Sequence, residues 1–234
     1  NFGAFSPALR DAGGWKKGHA TFQLNDFDEA TRGAWRWDAL RLTTSLILAG
    51  RELGQNGPSV LQLCEQLLQS HTAHAFAERA LPAAPEPVLA LIERVDGRSH
   101  KKLLDDRTEA QGDMRHFVRG ERYHDVSETL RREVPAALRL FAERSADKGG
   151  PKPEQLEVLD VAFRVAGTGS LGSLRVAALT RGKGGDDGGW LFDLKEQPGS
   201  SLDVLAPRPT SGSRAADVEA AFRTCVEQPP RMLG

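Results

Sequence analysis

Apolar residues along this chain follow two periods, and the period changes near "DKGGPKPEQ". Before that stretch most of them recur at helical spacing, and after it they alternate with polar or small residues. Gly149, Gly150, Pro151 and Pro153 interrupt helix and strand alike. The chain therefore divides into a mainly helical region, residues 1–150, and a β-rich region, residues 151–234.

In the first region "HATFQL" alternates as a strand does. "WRWDALRLTTSLILAGREL" is apolar on nearly every face in its second half, which predicts a helix buried on all sides. "GPSVLQLCEQLLQSHTAHAFAERA" places Pro58 in a first turn and carries Val60, Cys64, Leu67, His71 and Ala75 at helical spacing. "LPAAPEPV" breaks the pattern. A further helix is predicted from about Asp125, with Glu128 three residues on as in a capping box and Leu130, Val134, Leu138 and Phe141 along its apolar face. Pro135 is expected to kink or divide it.

In the second region Val161, Phe163 and Val165 alternate as in a half-buried strand, "SLRVAALT" and "WLFDLKE" read as two more, and "GKGGDDGG" joins the last pair as a hairpin loop. A three-stranded antiparallel meander is the simplest arrangement. A last helix, "AADVEAAFRTCVEQ", stops at Pro229 and Pro230. The fold class is α+β.

A chain of 234 residues can bury a substantial core, and 39% hydrophobic with 27% charged residues is ordinary for a globular protein. Lys and Arg total 31 against 32 acidic residues, so no net field favours nucleic acid or an anionic membrane as a partner. Cys64 and Cys225 are isolated in helix-like apolar contexts, which implies reduced, buried thiols. The longest apolar run, "SLILAG", is too short to span a bilayer, and the first residues lack a signal-peptide pattern. A cytoplasmic setting is expected, although the absence of an initiator Met leaves any earlier targeting signal out of view.

Two constellations can carry chemistry. The first is Asn1, Asp26 and Asp28. Mg²⁺ prefers oxygen ligands, often one or two carboxylates plus substrate phosphates. A side-chain amide and a carboxylate at a strand end are what a kinase-type site supplies. Asp26 follows an apolar strand and precedes Phe27, as does the Asp of the kinase Asp-Phe-Gly element, with Asp28 in place of the glycine. A solvated turn is the bland alternative.

The second is "VAGTGSLGSLRVAAL" followed by "WLFDLKE". Gly167, Gly169 and Gly172 satisfy G-x-G-x-x-G, and with Ser170 they suit a phosphate-covering flap, with Lys195 on a following strand facing the phosphates. The same glycines in a dinucleotide fold would open a helix, with Asp193 as ribose partner. "SLRVAAL" is too short for that crossover helix, so the flap is preferred. A plain hairpin without ligand is the remaining alternative. Glu219, on the last helix, is the candidate partner for Lys195. His71 and His74 lie three apart on one helix, but without a Cys or acidic companion they are expected to be an ordinary boundary pair. His100, His116 and His124 lie in polar segments without a specific signal, and no Gly-x-Ser-x-Gly elbow supports a hydrolase.

"NDFDEATRGAWRWDALRL" resembles small-molecule kinases of the aminoglycoside and choline type. That resemblance implies a protein-kinase-like two-lobe arrangement, helical lobe first and glycine-flap lobe second, in permuted order. It makes Asp38 a structural acceptor for the catalytic loop, where a helix first-turn acid is the alternative. It also implies ATP and Mg²⁺ as cofactors and a small-molecule or unknown phosphate acceptor.

"NFGAF", "FQLNDFDEATRGAWRWDALRLTTSLILAGRE", "VAFRVAGTGSLGSLRVAAL" and "LFDLKEQPGSS" together resemble the uncharacterised bacterial family catalogued as domain of unknown function 2252. Members typically carry Gly-Asp-x-His-x-x-Asn, whose last Asn corresponds to Asn1. The family resemblance therefore implies that the candidate base precedes residue 1, that the chain is an internal fragment, and that the fragment by itself is nearly inactive. A non-catalytic nucleotide-binding module and a plain interaction protein are the alternatives.

Overall fold

The computed structural model describes residues 2–11, 14–76, 79–80, 82–112, 114–167, 172–205, 212–230 and 232–234. The chain opens with strand β1 (Phe2–Phe5), which pairs antiparallel with β4 (Thr21–Leu24). Between them β2 (Ala8–Asp11) and β3 (Gly14–Lys17) form a second two-stranded ladder. β4 is the strand read from "HATFQL".

Helices α1 (Arg36–Glu52) and α2 (Gly57–Phe76) follow. Gly50 is buried where they cross, because a Cβ there would run into the methyls of Val60. Cys64 is buried and its Sγ donates to the carbonyl of Thr43 at 3.7 Å, whereas Cys225, at the end of the last helix, is exposed, which corrects the expectation of two buried thiols. The expectation of an α1 buried on all sides is corrected: Leu40 is 64% and Leu48 57% exposed. The helix packs on α2 along one stripe only, so an apolar sequence on its remaining faces does not bring burial with it.

The proline-rich "LPAAPEPV" does not only break the chain. Pro85 is extended as an N-cap and Pro87 occupies the first turn of α3 (Glu86–Asp96), where the missing N–H has no helical partner to lose. α3 packs on β1 and β4. Lys17 Nζ donates to the carbonyls of Val95 at 2.9 Å and Asp96 at 2.6 Å, serving the helix end that lacks intrahelical donors.

Next come α4 (His100–Asp105), the hairpin of β5 (Thr108–Gln111) and β6 (Met114–Phe117), and short β7 (Tyr123–His124). The region read as mainly helical thus carries strands too. α5 (Glu128–Ser145) starts later than expected, with Ser127 as N-cap accepting from Leu130 N at 3.3 Å. Asp125 instead takes Arg119 Nε at 2.9 Å. Pro135 lies inside α5 without dividing it.

β8 (Val158–Arg164), β9 (Arg175–Thr180) and β10 (Trp190–Lys195) form the antiparallel meander, extended by β7 to the order β10-β9-β8-β7. Alternation along these strands feeds two cores. Val161, Val176 and Ala178 pack with Val134, Leu138 and Ala142 of α5. Ala162, Ala177 and Leu179 pack on the other face with Leu104, Phe117 and Tyr123. β7 and α5 lie before the Gly149–Pro153 break, yet they share sheet and core with the strands after it. α6 (Arg214–Cys225) ends the secondary structure. Among the described residues no helix is long and apolar enough to cross a membrane.

Candidate functional site

The segment joining β8 to β9 carries the glycines. Gly167 and Gly172 adopt φ of 62° and 88°, in the left-handed region that a side chain disfavours, and both are exposed. Gly169 and Ser170 lie outside the described residues, as does Asn1. A strand, not a helix, follows Gly172. That corrects the dinucleotide alternative, which needs the glycines to open a crossover helix.

In the ladder Lys195 stands opposite Arg175, the first residue of β9, so Lys195 lies at the sheet end that bears the glycine turn. Asp193, two residues back, shares its face. Arg175 Nε donates to Asp193 at 3.0 and 3.1 Å, and Arg164 Nη1 pairs with the same carboxylate at 2.6 Å. The hydrogen bonds that Arg175 donates to Asp193 raise the Arg175 pKa against the opposing effect of burial, and the charges of Asp193 and Asp26 add to the rise. The two arginines flank the glycine segment in sequence, and alternation places Asp193 beside Lys195; sequence reading noted the glycines and Lys195 but not this ion-paired network.

The acidic segment after β4 meets the same sheet end. Asp26 holds φ of 66°, the non-glycine residue of positive φ among those described, with its N–H donating to Asn25 Oδ1 at 2.9 Å. Asp and Asn are among the side chains that enter this region most readily. The Phe27 ring lies 4.8 Å, centroid to centroid, from Phe222 of α6. Asp28 then forms an ion pair with Lys195 Nζ, both side chains being mostly covered. Glu29 Oε2 accepts from Ser201 Oγ at 2.9 Å, and Thr31 Oγ1 donates to Asp203 at 3.4 Å. One turn is thus tied to β10, to the segment after it and to α6.

The structure therefore brings Asp26 and Asp28 to the sheet end carrying Gly167, Gly172 and Lys195. It does not bring Glu219 to Lys195. Glu219 accepts from Arg223 Nε at 2.7 Å, one turn along α6, because that intrahelical pair needs no tertiary approach. Asp38 is exposed in the first turn of α1, the dipole-favoured position for an acid. His74 Nδ1 lies 2.7 Å from the carbonyl of Ser70, and His71 stacks near Trp35. Among the described residues no three His, Cys, Asp or Glu side chains cluster as a metal cage. Asp26 is exposed at a strand end, and the Asp28 carboxylate is engaged by Lys195.

Fold and site define an α+β protein whose antiparallel sheet ends in a glycine turn beside ion-paired Lys, Arg and Asp side chains. The chain belongs to the family described as "Uncharacterized protein conserved in bacteria (DUF2252)", whose model matches residues 1–225. Comparison with curated proteins and with solved structures returned no match.

Proposed function

We propose that this protein is a nucleotide-binding module of a kinase-like phosphotransferase, using ATP and Mg²⁺, with a small-molecule or other acceptor that the site does not name. The observation that supports this reading is the meeting of Asp28 and Lys195, 167 residues apart in sequence, at the glycine-turn end of a three-stranded meander. Glycine turn, two antiparallel strands and a terminal lysine form the order in which a kinase flap presents its lysine. In this reading the helical part and the flap sheet correspond to the two kinase lobes in permuted order.

In this reading the glycine segment between β8 and β9 covers phosphate, and Lys195 supplies positive charge. Asp26, with Asn1, would hold Mg²⁺, which when bound neutralises phosphate charge. Asp28 keeps Lys195 extended toward the site.

Calorimetry of ATP with and without Mg²⁺ is the experiment. Binding is expected, strengthened by Mg²⁺, weakened about tenfold or more by Lys195→Met and stripped of its Mg²⁺ dependence by Asp26→Asn. Asn is chosen because it occupies the left-handed region as readily as Asp. No binding by the parent chain, or equal binding by both variants, would overturn the reading.

A second reading, an interaction module with a merely structural Lys195–Asp28 pair, is favoured by the exposed apolar side chains of α1 and α2, such as Leu40 at 64% and Leu61 at 64%. It expects ATP to leave the melting temperature unchanged.

A further inference from the structure

Deeper along the face that carries Asp193 and Lys195 lies a recess of about 180 Å³. Leu103, Phe117, Ala177 and Leu191 form its apolar walls, and Arg107, Tyr123, Arg164 and Asp193 make its polar end. The Tyr123 hydroxyl accepts from Arg107 Nη1 at 3.3 Å. Arg164 Nη1 is engaged by Asp193, but Arg164 Nε is buried and, among the described residues, has no hydrogen-bond partner.

A buried guanidinium N–H without an acceptor is costly and is rarely left so. The lining sets the guanidinium groups of Arg107 and Arg164 beside the Tyr123 hydroxyl and the Asp193 carboxylate. Asp193, its one carboxylate, is already bonded by both Arg164 and Arg175. Two guanidinium groups of the lining, those of Arg107 and Arg164, stand against the one carboxylate of Asp193, leaving a positive balance. With more guanidinium than carboxylate groups in the lining, an anion with an apolar body matches both walls and end. The volume is below the range of about 300–1,000 Å³ usual for drug-sized ligands, which limits the guest to about one ring.

We propose that this recess binds a small carboxylate with an aromatic or short aliphatic body, its carboxylate on the guanidinium groups of Arg164 and Arg107 and its body against Ala177 and Leu191. The site is distinct from the phosphate-covering turn and stands without the nucleotide reading.

The sequence holds one tyrosine, so 3-fluorotyrosine labelling of the chain gives a single fluorine resonance at the recess. Benzoate is expected to shift that resonance saturably, with benzamide, the neutral isostere, weaker by about tenfold or more. Arg107→Gln should weaken benzoate by a similar factor, and Ala177→Leu should abolish the shift by filling the cavity, both with unchanged circular dichroism. No saturable shift in the parent chain, equal binding of benzamide, or undiminished benzoate binding in both variants would overturn the proposal. Because the first two comparisons use the unsubstituted chain, a misfolded variant does not remove the test. ATP binding without a benzoate response would sink this inference alone, and a benzoate response without ATP binding would support it while sinking the nucleotide reading.

Discussion

Asp160 shows how one side chain ties separate pieces of the chain. It is buried in β8, with its side chain 4% exposed, and takes Phe117 N at 2.8 Å from β6, Arg119 Nη1 at 2.9 Å and Arg119 Nη2 at 3.0 Å. Burial by itself would raise its pKa, but the Arg119 guanidinium and the N–H groups of Phe117 and Val161 together hold it below the ordinary carboxylate range. A carboxyl depressed in the folded state contributes its full stability above the ordinary carboxylate range and loses it as pH falls through the lower folded value. Asp160→Asn should therefore lower unfolding free energy by about 2–4 kcal/mol at neutral pH, leaving Arg119 partly unpaired. The deficit should shrink as the parent is acidified below the carboxylate range. Urea unfolding at several pH values reads this directly, and a pH-independent difference would contradict it.

At the scale of elements, the crossing of α1 and α2 rests on Gly50 having no side chain. Gly to Ala inside a helix ordinarily stabilises by about 1 kcal/mol. Here the new methyl meets the stiff branched side chain of Val60, and overpacking of that kind costs about 1–3 kcal/mol. Gly50→Ala should therefore destabilise the protein, while the same change in a Val60→Ala background should stabilise it, a sign reversal that thermal melts of the four proteins would show. α3 carries the opposite lesson. Its prolines read as punctuation, yet proline at a helix start has no hydrogen bond to forfeit, and docking on β1 and β4 with Lys17 at the far end supplies what propensity does not.

Over the whole molecule, burial is uneven. Val176, Ala177, Ala178, Leu179 and Thr180 of β9 are all buried, whereas α1 buries Gly50 alone. Amide hydrogen exchange should show the greatest protection in β9 and markedly less in α1, because local opening follows buried contacts and not the number of helical hydrogen bonds. Equal protection in the two would show that α1 is more firmly held than its exposure implies.

The sequence by itself determined the elements with strong periodicity. β8, β9 and β10, their hairpin loop, α1, α2, α5 and α6 were all legible, because alternation and helical spacing are local and each strand or helix repeats its pattern several times. It also marked Asp26, Asp28, the glycine turn and Lys195 as the chemically charged places. Short pieces without repeats, β1 to β3, β5 to β7, α3 and α4, were not legible, since their apolar residues are few and their stability comes from what they dock against. Only the tertiary structure decided that Lys195 meets Asp28 and not Glu219, that Arg164 and Arg175 converge on Asp193, and that α1 faces outward on most sides. Those outcomes depend on which distant segments approach one another, and a local pattern of apolar and polar residues carries no term for that.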